Sequence, residues 1–295
     1  MGAHQNIRST VAMGVLVILE QVEMPEDQHT TKINVDNVNL SFGGVRVLFD
    51  LNLQIRDNEL LAIIGPNGSG KTCLLNCMSG FYKPQKGSIY YKKKDLVKLP
   101  PYKITSLGIG RTFQNLELFS GLTAGDNIRA ARHLFLKAGL LSGAIYFGPG
   151  QSEEVRQMKM VEEIIDFLEM ESIRNNIVGD LPYGLRKRVE LGRALALEPD
   201  VLLIDEPMAG MNLEEKEDLT RFLLDIYEGT EFGYESEFLK KGVKSVVLVE
   251  HDMGVVMDIA DRVAVFDFGH KIADDTPQNI RGNDRVIKAY LGQAD

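Results

Sequence analysis

The chain has 295 residues, two cysteines and a formal net charge of -9. That length can bury a substantial core as one large domain or two small ones, and 44% hydrophobic residues against 25% charged exclude disorder as the default. The acidic balance argues against a nucleic-acid partner, which calls for clustered excess Lys and Arg, and two cysteines are too few for a disulfide scaffold.

The first apolar run, Val11 to Leu19, covers about half of the roughly 18 residues a membrane span requires. Arg8 precedes it as in a signal peptide, but Glu20, Glu23 and Glu26 follow where a small-residue cleavage site would stand. Gly2 suits N-myristoylation only as far as Asn6, which replaces the expected Ser or Thr. Residues 1–31 therefore read as an extension outside the fold, or as sequence ahead of the true start. Next, Ile33, Val35, Val38 and Leu40, then Leu51, Leu53 and Ile55, alternate on either side of Gly43-Gly44, as antiparallel strands around a turn do. Leu60 to Ile64, Val201 to Ile204 and Val246 to Val249 are instead continuously apolar, the pattern of strands buried on both faces of a parallel sheet. Helical patterns lie between them at Cys73 to Ser79 and Arg186 to Leu197. Cys73 and Cys77, four apart on the first of these, read as small core residues. From Leu122 to Asn176 the chain reads mainly helical, most clearly over Glu153 to Glu169, with Gly139 to Gly150 a Gly-rich loop. The expectation is an α/β fold across residues 32–292: a parallel-sheet core, an antiparallel β subdomain near its start and a helical subdomain inserted at about 115–190.

Gly65-Pro66-Asn67-Gly68-Ser69-Gly70-Lys71-Thr72 matches the phosphate-binding pattern G-x-x-x-x-G-K-[ST] between an apolar strand and a helical segment. Glycines let the backbone turn its N–H groups inward onto phosphate oxygens, and the helix N-terminus adds its positive dipole there. Chance would give the bare pattern in roughly one chain of this length in a hundred. Residues Gly65 to Cys73 form the candidate nucleotide segment, with Lys71 reaching the β- and γ-phosphates of ATP and Thr72 ligating Mg²⁺. The apolar run from Val201 delivers Asp205 and Glu206 at a strand end, where open α/β sheets place ligands. Asp205 is a second Mg²⁺ candidate; Glu206 is the candidate base for the attacking water.

Taken together, the order of these motifs resembles the ABC transporter ATPases over roughly residues 33–291, which implies a P-loop NTPase (RecA-like) core. In that likeness Gln114, within Arg111-Thr112-Phe113-Gln114-Asn115, stands for the glutamine that contacts Mg²⁺ and whose following segment touches a transmembrane partner. His251 stands for the histidine near the γ-phosphate, and Phe42 for the aromatic that stacks on adenine. Leu181-Pro182-Tyr183-Gly184-Leu185-Arg186-Lys187-Arg188 is similar to the signature segment L-S-G-G-Q, which would place Gly184 on the nucleotide held by a second subunit. Pro182 and Leu185 depart from that pattern, as do Ala209 and Asn212 downstream, and the resemblance then implies slower hydrolysis at the site this signature completes. Leu181 to Leu195, Asp205 to Asn212, Glu250 to Met253, Ala289 to Gly292 and the long insert after Asn127 resemble the larger ATPase subunit of branched-chain amino acid importers. Thr230 to Lys241 departs from that family and reads as a solvated surface excursion.

The resemblance implies a cytoplasmic subunit on the inner face of the membrane, working with permease subunits, a second ATPase chain (identical or different) and an extracytoplasmic solute-binding protein. ATP and Mg²⁺ are the expected cofactors. Three other readings fit less well. A DNA- or ribosome-acting ABC ATPase would show tandem cassettes or basic patches; a P-loop kinase would not need the signature or His251; a catalytically dead regulatory subunit would not keep Lys71, Asp205 and Glu206.

Overall fold

A computed structural model describes residues 30–114, 116–135, 149–229 and 243–291. The extension ahead of residue 30, Asn115, the greater part of the Gly-rich stretch, residues 230–242 and Gly292 lie outside the described residues.

Strands β1 (Thr31–Phe42) and β2 (Val45–Arg56) pair antiparallel, with Phe42 opposite Val45 across the Gly43-Gly44 turn. Thr31 is thus the first strand residue, one position ahead of the expected boundary. The alternating side chains turn inward as their period demands: Ile33, Val35, Val38 and Leu40 face Leu48, Leu51, Leu53 and Ile55 in one core. Strands β4 (Lys86–Tyr91) and β5 (Lys94–Asp95) complete this sheet in the order β2-β1-β4-β5.

The second sheet has the order β10-β9-β3-β8-β7-β6. It comprises β3 (Glu59–Ile64), β6 (Ile109–Arg111), β7 (Val201–Asp205), β8 (Ser245–Val249), β9 (Arg262–Asp267) and β10 (His270–Asp275). All its pairings are parallel except that of β10 on β9. The three continuously apolar runs are β3, β7 and β8, and every residue in them is buried. Alternate residues feed opposite faces: Leu202, Ile204, Val246 and Leu248 join one core cluster, Val201, Leu203, Val247 and Val249 the other. Both faces are therefore dry, and no polar alternation can appear in the sequence.

Helices α1 (Lys71–Met78) and α2 (Pro101–Ser106) follow β3 and precede β6. The insert contributes α3 (Ala124–Ala131), α4 (Pro149–Phe167) and α5 (Tyr183–Leu195). Pro149 and Gly150 are the first two residues of α4 rather than the end of a loop, a position where proline's missing N–H costs nothing. Helix α5 starts three residues ahead of the helical pattern Arg186 to Leu197 and ends two short of it, and its last turn, with Ala194 and Leu195, joins the cluster of Leu202 and Ile204. Thr123 caps α3 by accepting the Asp126 N–H, a contact that stabilises such a helix by about 1 kcal/mol. Ile128, Ile164, Leu168 and Val189 share one cluster with the sheet residues Leu60 and Ile204. At about 1.5–3 kcal/mol for each fully buried side chain, the insert is fixed to the sheet rather than tethered beside it. Helices α6 (Leu213–Glu228) and α7 (Met253–Ile259) connect the later strands; α8 (Pro277–Arg281) and α9 (Asp284–Leu291) bring Ile280 and Val286 into one cluster with Ala62 and Ile64 of β3 and Val263 and Val265 of β9. No described helix is long and apolar enough to cross a membrane.

Candidate functional site

The phosphate loop leaves the buried end of β3 and enters α1. Its first glycine has no room for a side chain: at φ +148° a Cβ on Gly65 would sit 2.1 Å from the Phe266 carbonyl oxygen. Gly70, at φ +101°, is the residue ahead of α1, and a Cβ there would meet Leu48 at 2.7 Å. The loop is further tied by Gly269, whose N–H donates to the Ser69 carbonyl (3.1 Å) while its own carbonyl accepts the Phe49 N–H (3.0 Å). Its shape is thus set by β2 and the β9–β10 turn as much as by its own residues. Lys71 is buried, with Nζ donating to the carbonyls of Gly65 (2.8 Å) and Pro66 (3.0 Å). Burial pushes its pKa down, against the Glu206 and Asp205 carboxylates. The Ser69 hydroxyl is buried without a hydrogen-bond partner among the described residues, and a polar atom so placed fits a cradle for a ligand oxygen. Cys73 is half-buried beside Thr72, and burial pushes both its thiol and that of Cys77 up, the latter to about 12.

Asp205 ends β7 fully buried. One carboxylate oxygen accepts from Thr72 Oγ1 at 3.1 Å, the other faces Arg111 Nη2 at 3.2 Å. Burial pushes this carboxyl up; Arg111 and Thr72 pull it back toward the ionised form. Arg111 also donates to Asn76 Oδ1 (2.8 Å) and Ser79 Oγ (2.6 Å) on and just beyond α1, so it joins three elements behind the loop. Sequence reading missed it, quoting Arg111 only as a neighbour of Gln114. The one available signal was an arginine closing a short run on its way to a buried acid.

Glu206 follows at φ +47°, its N–H donating to the Val249 carbonyl at 2.9 Å. That turn presents the carboxylate to two other segments. Gln114 Nε2 donates to one oxygen at 2.8 Å, and His251 Nε2 lies 2.6 Å from the other. Three residues far apart in the chain therefore meet at one half-buried carboxylate next to Asp205, with Gln114 and His251 exposed.

Two expected site residues stand apart. Phe42 is exposed and packs edge-to-face on Tyr82, with ring centroids 4.9 Å apart, although its hairpin reaches the loop through Leu48. Gly184 is the second residue of α5, buried against α6; a Cβ there would lie 2.2 Å from Glu215 Oε1. Among the described residues nothing links Gly184 to the loop of its own chain. Pro182 precedes it as the N-cap and makes no side-chain capping bond.

Chemically, Thr72 and Asp205 offer two hard oxygens in contact. That set suits Mg²⁺ arriving on phosphate oxygens, since this ion takes few protein ligands and keeps its phosphate and water shell. Glu206, held by an amide and an imidazole, has the surroundings of a base for water.

The ABC transporter family model matches residues 48–209, and that of the branched-chain amino acid ATP-binding cassette transporters matches residues 270–295. The high-affinity branched-chain amino acid transport ATP-binding protein LivG of Salmonella typhimurium is 36% identical over 263 residues, covering 88% of this chain and 97% of LivG. A nucleotide-free ATP-binding cassette from an ABC transporter superposes with a TM-score of 0.73 at 26% identity, covering 90% of this chain and 100% of its own. A dimeric ATP-binding cassette in a post-hydrolysis state, bound to ADP and Pi, gives 0.68 at 25% identity, covering 83% of this chain and 98% of its own.

Proposed function

Since the chain belongs to the ABC transporter ATP-binding family, in its branched-chain amino acid branch, we propose that it hydrolyses ATP to drive uptake of branched-chain or related amino acids through permease partners. The observation that carries the site assignment is the meeting of Gln114, Glu206 and His251 beside the Thr72–Asp205 contact.

In this reading the Gly65–Thr72 backbone and Lys71 bind the β- and γ-phosphates of ATP, Ser69 offers its unpartnered hydroxyl, and Phe42 stacks on the adenine. Thr72 and Asp205 hold Mg²⁺, with Gln114 as a further ligand; the ion supplies charge neutralisation on the phosphates when bound. Glu206 orients and deprotonates the attacking water, and His251 fixes the carboxylate and faces the γ-phosphate. Lys71, Glu206 and His251 are the catalytic set, and positioning with charge stabilisation accounts for most of the work.

Gly184 acts on the nucleotide of a second ATPase chain, identical or different. Its place near the start of α5, packed against Glu215 of α6, supports this, as does the dimeric cassette among the similar structures. ATP that binds the closed pair better than the open one pulls the chains together, and hydrolysis releases them. The pair works on the inner face of the membrane through permease subunits, with a solute-binding protein delivering the amino acid outside.

Glu206→Gln in the full-length chain tests the assignment. It is expected to keep MgATP binding, read with a fluorescent ATP analogue, and to lower turnover at least about 100-fold. Wild-type turnover in that variant would sink the role given to Glu206. Uptake of labelled leucine in cells carrying only the variant tests the substrate class, and undiminished uptake would sink it.

A further inference from the structure

Helix α5 carries a buried ion pair that the catalytic set does not use. Lys187 and Glu190, one turn apart, lie 3.2 Å from each other with side chains 2% and 7% exposed. Their remaining hydrogen-bonding capacity goes to two consecutive residues. Lys187 Nζ donates to the carbonyls of Phe113 (3.4 Å) and Gln114 (3.2 Å), and the Phe113 N–H donates to Glu190 Oε1 at 3.0 Å. The ammonium thus has three acceptors, and both carboxylate oxygens have donors. Burial pushes the Glu190 carboxyl up while Lys187 opposes it.

Stability does not account for this arrangement. Two charges withdrawn from water cost several kcal/mol each, and apolar residues of like volume often serve a fold as well or better. What the pair provides is direction, because its bonds hold a backbone that packing alone would leave free to slide. The held segment ends in Gln114, whose side chain grips Glu206 at 2.8 Å. The holding helix carries Gly184 as its second residue, less than one turn before Lys187.

We propose that Lys187 and Glu190 are positioning residues that make the start of α5 and the Gln114 segment move as one body, so that Gln114's grip on Glu206 follows the place of the signature helix. A second chain that draws Gly184 onto its nucleotide thereby resets the base of this chain's own site. The inference rests on the roles given above to Glu206 and Gly184.

Three full-length variants test it: Lys187→Met with Glu190→Leu, Gln114→Ala, and the three changes together. Each is read for unfolding midpoint, binding of a fluorescent ATP analogue with Mg²⁺, ATP turnover, and amide exchange at Phe113. The apolar pair is expected to leave the midpoint and nucleotide affinity near wild type. Exchange of the Phe113 amide rises about tenfold or more, and turnover falls about tenfold at unchanged KM. Adding Gln114→Ala to the apolar pair costs nothing further, since both act through one contact. Lys187→Arg, which keeps a buried cation with several donors, recovers most of the turnover that Lys187→Met loses. Independent, additive losses, or turnover that merely tracks the midpoint, overturn the proposal. Wild-type turnover in Gln114→Ala alone would overturn the hydrolytic reading of Gln114 and the proposal with it. Unchanged Phe113 exchange in the apolar pair, with Gln114→Ala impaired, would overturn the clamp alone.

Discussion

The phosphate loop and the Gln114–Glu206–His251 junction adjoin through the Thr72–Asp205 contact but are held by different means. The loop is a backbone object: Gly65 and Gly70 press against Phe266 and Leu48 where no other residue fits, and its bonds to Gly269 are peptide to peptide. The junction is a side-chain object, gathered from three segments by an amide, a carboxylate and an imidazole, and braced from behind by buried charges on Arg111, Lys187 and Glu190. A backbone object is stiff and cannot be retuned without breaking. A side-chain object can rearrange when one of its supports moves, which suits the part of the site that must respond to a partner.

Substitutions on either side should break or sharpen that contrast. The largest effect is expected from Arg111→Met, which strips the fully buried Asp205 carboxylate of its ion-pair partner. Stranding one member of a buried pair costs about 3–5 kcal/mol, to be read by urea unfolding. A loss below about 1 kcal/mol would show that Asp205 does not depend on its ion pair. Gly65→Ala attacks the backbone side, driving a methyl into the Phe266 carbonyl; about 1–3 kcal/mol of stability and most of the ATP affinity should go together. Intact nucleotide binding in a destabilised Gly65→Ala protein would argue that the loop adapts. Pro182→Ser gives α5 the capping hydroxyl it lacks, and in the assembled complex a few-fold rise in turnover is expected, in proportion to the roughly 1 kcal/mol such a cap contributes. Unchanged turnover would count against a slowed site.

The smallest effect concerns Asp200, the residue ahead of β7, which binds Lys32 and Tyr91 of the antiparallel sheet and Lys92 in the turn after β4. Burial alone would raise its carboxyl, but the bonds from Lys92, Tyr91 and Lys32 prevail and draw it down to about 2. A depressed carboxylate stabilises the fold above its unfolded value and loses that contribution as pH falls through the folded one. The thermal midpoint should therefore decline between about pH 4 and pH 2, and Asp200→Asn should flatten that slope. A variant that melts in parallel with wild type across this window would show the network to be inert.

How much of this was legible follows from the same contrast. Gly65 to Thr72 is written as eight adjacent residues because a backbone cradle must be continuous, so the motif alone located it. Likewise β3, β7 and β8 showed themselves as unbroken apolar runs because both faces are buried. Glu206 is legible as the acid closing a buried strand behind the phosphate motif, whereas Gln114 and His251 are legible only through their order along the chain, which resembles a known family; no local pattern says that the three touch. Arg111, Lys187 and Glu190 escaped because their partners lie about 75 to 95 residues away, and a charged residue in a helix or at a strand end looks solvated until the fold buries it. Strand β9 was also passed over, although Val263-Ala264-Val265-Phe266 is as apolar as the runs that were recognised.

The contacts of Phe266 and Gly269 with the loop also set how this chain can be divided. The walls that force Gly65 into shape come from residues about 200 positions downstream, beyond the 48–209 segment that carries the family likeness. A fragment ending near residue 209 would own every letter of the phosphate motif and still lack the surfaces that mould it. The loop and the strands that brace it therefore form one unit, and because the braces are backbone atoms, a hybrid between related cassettes should stay active wherever the β9–β10 turn keeps its place against the loop.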